Sequence, residues 1–136
     1  MIFTVLGQPQ GKGRPRFTRT GHPFTPEKTR EYEALIGRCY EEAGGELLSG
    51  YVGVFIRAYY KIPKNFSKEK RGFIERGLLK PAVKPDIDNV IKAILDGLNG
   101  RAYHDDNQVV YVSAEKHYSD EPKVEVMVVP NGEEAD

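Results

Sequence analysis

The chain has 136 residues, one cysteine and a formal net charge of zero, with 20 basic and 20 acidic side chains. This length predicts one domain with a single core, and a lone cysteine excludes an internal disulfide. The zero net charge excludes a uniformly basic protein. Because the apolar start of the chain is too short for a signal peptide or a membrane span, we expect a cytoplasmic protein with no membrane partner.

The first third of the chain predicts a strand, a basic loop and a helix. Residues 2–6 are typical of a strand, and residues 8–25 are rich in glycine and proline. Thr25-Pro26-Glu27 has the pattern of an N-cap, a first-turn proline and an early acid. The helix that follows ends at Gly44-Gly45. Its apolar stripe consists of Tyr32, Leu35, Ile36, Cys39, Tyr40 and Ala43.

The middle of the chain predicts a strand and a short basic helix. Residues 51–61 alternate and are rich in β-branched and aromatic side chains, which is typical of a strand. One face of this strand consists of Val52, Val54, Ile56 and Ala58. Ser67 is a candidate N-cap for a helix over residues 68–76.

A third helix is predicted from Ile87 to Leu98. Its apolar residues follow the spacing i, i+3, i+4, i+7, i+8, which predicts one buried stripe. That stripe consists of Ile87, Val90, Ile91, Ile94, Leu95 and Leu98. Asp86 or Asp88 can cap the helix, Gly100 can end it, and Asp88, Lys92 and Asp96 share the opposite ridge.

The last third predicts two strands over residues 108–118 and 123–129, joined as a hairpin by the turn at 119–122. Residues 130–136 are polar and acidic, and we expect them to be frayed. The predicted order is β-α-β-α-α-β-β. This order indicates a single small α+β domain over residues 1–136, with helices packed on a small mixed sheet.

The charges are unevenly distributed along the chain. Residues 8–30 carry +5, residues 61–84 carry +6 and residues 115–136 carry −5. Basic groups that contact phosphates release condensed counterions, so this asymmetry predicts a nucleic-acid surface. The candidate DNA-binding residues are Lys12, Arg14, Arg16, Arg19, Lys68, Lys70, Arg71 and Lys84. Phe17 and Phe24 have the chemistry to stack on bases, but we expect both to lie in the core.

Aspartates on either side of the third helix form a candidate metal site. Asp86 and Asp88 flank its start, and Asp105 and Asp106 follow its end. Mg²⁺ prefers oxygen ligands and usually takes one or two carboxylates, with water and substrate phosphate completing its shell. Such ions can drive phosphodiester hydrolysis, and Lys92, one turn from Asp88, can neutralise the phosphate.

Each of these residues also has an ordinary interpretation. Asp86 and Asp88 can be helix caps, Asp88 and Lys92 a surface ion pair, and Asp105 and Asp106 part of a polar turn. His104 is a candidate proton shuttle or phosphate contact, although a surface histidine without a special role is the simpler hypothesis. The set as a whole favours the metal site.

The same residues resemble the signature of the RusA-type Holliday junction resolvases. The matching elements are Pro85-Asp86-Ile87-Asp88-Asn89, Lys92, Asp96-Gly97-Leu98 and Asp105-Asp106-Asn107-Gln108-Val109-Val110. The resemblance implies a homodimeric, Mg²⁺-dependent endonuclease that cuts four-way DNA junctions in recombination and repair, with Mn²⁺ as a substitute ion and no small-molecule cofactor. It assigns Asp86, Asp88 and Asp106 as catalytic metal ligands and Lys92 as the catalytic lysine, and Asp105 beside Asp106 is then an auxiliary ligand or a group that supports the ligands.

Two alternatives remain open from the sequence. The chain can be a non-catalytic DNA-binding module whose acids only cap helices and turns. It can also be a nuclease for other branched DNA or for structured RNA, because the same metal-assisted chemistry serves all of these substrates.

Overall fold

The computed structural model describes residues 1–13 and 15–132. Three helices and six strands are present in those ranges, and a short 3₁₀ turn, Asp106–Gln108, precedes the fifth strand. In chain order they are β1 (Ile2–Leu6), β2 (Arg16–Phe17), β3 (Pro23–Phe24), α1 (Glu27–Glu42), β4 (Val52–Lys61), α2 (Lys68–Glu75), α3 (Ile87–Leu98), β5 (Val109–Ser119) and β6 (Lys123–Pro130). The predicted α+β class and element order are confirmed.

Four strands form a mixed sheet in the order β1-β6-β4-β5. β4 runs parallel to β5 and antiparallel to β6. The predicted β5–β6 hairpin is therefore wrong, because β4 lies between the two strands. The link after β5 crosses the end of β4, where the carbonyl of Ser119 accepts a hydrogen bond from the amide of Ile62.

Helices α1 and α3 pack on one face of this sheet. The predicted bounds of α3 are confirmed, and its Val90, Ile94 and Leu98 are buried. The two helices approach closely at Gly97, where an added Cβ would lie 2.8 Å from the Cβ of Ile36. Ile87, which was predicted to belong to the buried stripe, is 38% exposed because it lies at the open end of the helix. The predicted buried face of β4 is confirmed.

The two predicted N-caps have different outcomes. Ser67 caps α2 as predicted, since its side chain accepts a hydrogen bond from the amide of Lys70. Thr25 does not cap α1: Pro26 holds the N-cap position, and no side chain caps this helix. The extended ψ of Pro26, 142°, leaves Glu27 as the first helical residue.

Within the basic loop, β2 and β3 form a small separate ribbon. Phe17 and Phe24 on this ribbon are 69% and 44% exposed, so the expectation that they lie in the core is wrong. Each strand has two residues, and within the described residues the two pair only with each other. A ribbon of this size does not build an apolar layer into which a ring can insert. Both rings are therefore presented to solvent beside the basic side chains.

The chain ends differ in part from the prediction. The amide of Asn131 donates a hydrogen bond to the carbonyl of Tyr51, and the amide of Tyr51 donates one to the carbonyl of Gly132. Residues 130–132 are therefore not frayed. The rest of the predicted acidic tail, residues 133–136, lies outside the described residues, as does Arg14. Across the described ranges, the helices are too short and too polar for any of them to cross a membrane.

Candidate metal centre and nucleic-acid interface

Asp86 and Asp88 lie at the start of α3 with their side chains exposed. Asp86 occupies the N-cap position, yet its carboxylate makes no capping hydrogen bond. Asp88 lies in the first turn, and the ion pairs among the described residues do not include one between Asp88 and Lys92. The capping role of Asp86 and the Asp88–Lys92 surface pair are thus not seen, and the helix N-terminus favours the negative charge of both acids.

Tyr60 anchors the segment that leads into Asp86. This residue, which the sequence analysis did not single out, is buried at the end of β4 and donates a hydrogen bond from its hydroxyl to the carbonyl of Pro85. Burial, followed by the charge of Asp86, raises the pKa of Tyr60 to about 12. Lys116 reinforces the anchor, with its ammonium 4.8 Å from the centre of the Tyr60 ring and 2.6 Å from the carbonyl oxygen of Val83.

Gln108 holds the turn that carries the second pair of acids. Its side-chain oxygen accepts hydrogen bonds from the amides of His104 at 2.8 Å and Asp105 at 3.1 Å. Its side-chain nitrogen donates to the carbonyls of Leu48 at 3.0 Å and Gly50 at 2.9 Å. Four hydrogen bonds from one side chain tie this turn to the start of β4.

Asp105 and Asp106 play different parts in that turn. The carboxylate of Asp105 accepts a hydrogen bond from the amide of Asn107 at 3.4 Å, so the predicted turn role of Asp105 is confirmed. Asp106 is exposed, and the hydrogen bonds found among the described residues do not use its carboxylate. Asp106 is therefore the more available ligand of the two.

Tyr103 shows where Asp106 lies relative to α3. Its hydroxyl donates to the carbonyl of Leu95, and burial, then the charge of Asp106, raises its pKa. Leu95 is nine residues beyond Asp86, roughly 13 Å along the helix axis. Asp106 thus lies near the far half of α3, whereas Asp86 and Asp88 lie at its start.

The predicted ligands therefore do not converge within one chain. In residues 1–13 and 15–132, no group of three or more His, Cys, Asp or Glu side chains is arranged to hold a metal ion. The donor chemistry still fits Mg²⁺, because this ion needs only one or two carboxylates when water and phosphate complete its shell. Asp86 with Asp88, and Asp106 with Asp105, are two half-sites of that kind.

Lys12 anchors the basic loop on the helices. Its ammonium lies 2.6 Å from the carboxylate of Glu33 and 2.9 Å from that of Asp96, and its amide donates to the carbonyl of Asn89. Burial alone would lower the pKa of Lys12, but the hydrogen bonds to Glu33 and Asp96 raise it above its ordinary value. Because this charge is compensated inside the fold, the structure favours an anchoring role for Lys12 over a phosphate contact.

Most of the other predicted DNA-binding residues are exposed and can contact a polyanion. The exposed ones are Arg16, Arg19, Lys68, Lys70 and Lys84. Arg71 is partly engaged by Asp120, with 3.3 Å between the guanidinium nitrogen and the carboxylate. Lys84 lies two residues before Asp86, so one of the exposed cations directly adjoins the first half-site. Lys92, on the same helix, is exposed as well.

We expect Gln108→Ala to loosen the turn that carries Asp106. The substitution leaves two amides and two carbonyls without their partner, and the net cost of each lost hydrogen bond is about 1 kcal/mol. Chemical denaturation should show the free energy of unfolding falling by about 2–4 kcal/mol.

Asn107→Ala provides the matched control, because the side chain of this exposed neighbour is not used in the turn. It should change the free energy of unfolding by less than about 0.5 kcal/mol. Equal destabilisation by the two variants would contradict the anchoring role of Gln108.

Two matches to known proteins cover most of the chain. The family model described as "Endodeoxyribonuclease RusA" matches residues 7–129, which include every element from β2 to β5 and nearly all of β6. The uncharacterized protein YqaN of Bacillus subtilis strain 168 is 39% identical over 132 residues, covering 93% of this chain and 93% of YqaN. The match spans the basic loop and both acidic half-sites, and the chain belongs to the RusA family of endodeoxyribonucleases.

Proposed function

We propose that the protein is a Mg²⁺-dependent endonuclease that cuts four-way DNA junctions during recombination and repair. The observation that carries the proposal is the pair of exposed carboxylates at the start of α3. Asp86 does not cap the helix that it precedes, and Asp88 makes no ion pair with Lys92 among the described contacts. Acids kept free of structural partners at a helix N-terminus suit a ligand from outside the fold.

Each acid has a role in phosphodiester hydrolysis. Bound Mg²⁺ supplies activation of the attacking water and neutralisation of charge on the phosphate. Asp86, Asp88 and Asp106 hold the ions, and Asp105 orients the turn that carries Asp106. Lys92 lies one turn after Asp88 and neutralises the charge that develops on the phosphate.

The basic ribbon favours branched DNA over plain duplex. Phe17 and Phe24 are exposed there, next to Arg16 and Arg19. Aromatic rings gain stacking energy only from bases whose faces are free, and such bases are available where strands exchange but not inside a paired helix. The arginines would hold the phosphates while the rings contact unpaired bases.

The proposal is tested with a labelled four-way junction and a linear duplex of matched sequence. With Mg²⁺ we expect paired, symmetric nicks on the junction, no cutting of the duplex, and no cutting of either substrate in EDTA. Metal-dependent cutting of another branched DNA or of RNA would support the metal-dependent hydrolysis but assign it a different substrate. Tight junction binding without cutting in Mg²⁺ or Mn²⁺ would favour the non-catalytic alternative.

The ribbon arginines provide a separate prediction about DNA affinity. Replacing both Arg16 and Arg19 with Gln should reduce the slope of log affinity against log salt by about 0.9 for each lost phosphate contact. Fluorescence anisotropy on an uncut junction in Ca²⁺ measures this slope. Arg38→Gln, at an exposed position on α1 away from the ribbon, should leave it unchanged, and equal effects of both changes would contradict the assignment.

A further inference from the structure

Residues 10–13, which we call the strap, lie across the start of α3 and the first half of α1. The amide of Lys12 donates a hydrogen bond to the carbonyl of Asn89 on α3 at 3.2 Å. The amide of Gly13 donates to the side-chain oxygen of Thr29 on α1 at 3.1 Å, and Thr29 is only 7% exposed. The strap is therefore tied to both helices before the chain reaches β2.

The strap also lies directly against the first acidic half-site. An added Cβ at Gly11 would lie 3.0 Å from the Cβ of Pro85 and 3.0 Å from the Cβ of Asn89. Glycine permits this close approach because it has no side chain. Pro85 directly precedes Asp86, and Asn89 directly follows Asp88. The backbone of the strap thus packs on both sides of the two acids.

The Lys12 side chain joins the strap to α1 and α3 at one point. Its ammonium lies 2.6 Å from the carboxylate of Glu33 on α1 and 2.9 Å from that of Asp96 on α3. The three side chains are 20–33% exposed, and partly buried ion pairs are screened by salt less than exposed ones. One ammonium beside two carboxylates leaves a net negative group, which does not attract a phosphate.

The ribbon of β2 and β3 is attached to this framework at both of its ends. β2 begins at Arg16, four residues after Lys12. β3 is followed by the N-terminus of α1, with only Thr25 and Pro26 between them. A ribbon attached at both ends has a defined position relative to the acids at the start of α3.

We propose that Lys12 is a positioning residue that fixes the ribbon relative to the first acidic half-site. The ribbon arginines hold phosphates of the bound strand, so a fixed ribbon sets which phosphate lies at Asp86 and Asp88 and is cut. Lys12 itself does not touch the DNA and acts through the strap. The part that concerns cutting rests on the proposed function, whereas the fixing of the ribbon does not.

The position of the ribbon is tested without DNA by double electron–electron resonance. Spin labels are attached at His22→Cys on the ribbon and Arg38→Cys on α1, both exposed, in a Cys39→Ser background. With Lys12 intact we expect one narrow distance distribution. Lys12→Met keeps an apolar chain but removes the ammonium, and it should lose the narrow distribution. Lys12→Arg, whose guanidinium can bind two carboxylates, should restore it.

A broad distribution with Lys12 intact, or an equally narrow one in Lys12→Met, would overturn the proposal. Should Lys12→Met fail to fold, Gly13→Ala displaces the strap by another route, because its Cβ would lie 2.3 Å from Oγ1 of Thr29. This variant should also lose the narrow distribution. Gly72→Ala on α2 is the matched control, since an added Cβ there meets nothing within 4 Å. The same result for both glycine variants would overturn the role of the strap.

The position of the cut is tested by single-turnover cleavage of the labelled four-way junction. The wild type should nick one phosphate on each cut strand. In Lys12→Met the nicks should spread to neighbouring phosphates, and the rate at the main position should fall about 10- to 100-fold, because a displacement of about 1 Å has effects of this size. Lys12→Arg should restore both. A variant that is merely less stable would lose active molecules but keep the nick position, and an unchanged position in Lys12→Met would overturn its role in cutting.

The salt dependence of junction affinity separates positioning from a direct phosphate contact. In Ca²⁺, Lys12→Met should keep the wild-type slope of log affinity against log salt. A slope reduced by about 0.9 would indicate one lost phosphate contact and would overturn the positioning role.

The spin-label distances also separate this inference from the proposed function. Loss of the narrow distribution in Lys12→Met, together with a wild type that cuts no junction, would leave the positioning of the ribbon standing and remove the nuclease. Wild-type cleavage, together with unchanged distances and unchanged nicks in Lys12→Met, would keep the nuclease and remove the positioning role.

Discussion

Asp88→Asn is expected to lower the rate of junction cleavage by about three orders of magnitude or more while leaving junction affinity nearly unchanged. A bound metal ion contributes several kcal/mol of transition-state stabilisation, and each 1.36 kcal/mol is a tenfold change in rate. The amide keeps the size of the carboxylate but removes the charge that holds the cation. Single-turnover cleavage and anisotropy on the same junction measure the two quantities.

Glu42→Gln is the control for a general loss of negative charge, because Glu42 is an exposed acid at the far end of α1. It should cleave at the wild-type rate. A parallel loss of binding and folding in Asp88→Asn, with the cleavage rate per bound complex unchanged, would contradict a catalytic role for the aspartate.

Ile94→Ala is expected to destabilise the protein by about 2–5 kcal/mol, the range for truncating a large aliphatic side chain in a core. Ile94 is fully buried between α3 and the sheet, so its removal leaves a cavity that the surrounding side chains fill only in part. A loss of about 3 kcal/mol would lower the melting temperature by roughly 10 °C in a domain of this size. Thermal and urea denaturation measure both values.

Ile87→Ala is the matched control, because it is the same substitution on the same helix at a side chain that is 38% exposed. It should lower the free energy of unfolding by less than about 1 kcal/mol. Comparable losses at positions 87 and 94 would mean that α3 does not pack on the sheet as described.

The best predicted elements were those whose pattern is local. The bounds of α3 and the buried face of β4 follow from apolar spacings of 3.6 and 2 residues, and each spacing directly encodes which side of an element faces the core. Ser67 was predicted for a similar reason, since a cap acts on an amide three residues away. The predicted burial of Ile87 and the predicted cap at Thr25 were wrong. Both residues lie at the end of an element, where the pattern has the fewest residues to define it.

The errors of pairing and burial concern long-range structure. The turn before β6 is compatible with a hairpin, but β4, which is distant in sequence, takes the place between β5 and β6. Phe17 and Phe24 have apolar rings of the kind usually found in a core, but their two-stranded ribbon is separate from the main sheet and leaves both rings exposed. Tyr60 and Gln108 hold the two acidic half-sites. A single sequence shows neither the Tyr60–Pro85 nor the Gln108–Leu48 hydrogen bond, because each of these two joins residues more than 20 positions apart.

The α+β class, the element order and the acids that resemble the family signature follow from the sequence alone, because these depend on side-chain chemistry and short-range spacing. The positions of Asp86 and Asp106 at opposite ends of α3, and the ion pairs of Lys12 with Glu33 and Asp96, follow from the tertiary structure. So does the position of β5 as the outer strand of the sheet. These properties depend on which distant segments pair, and the free energy of such pairing is shared among many contacts that no local pattern records.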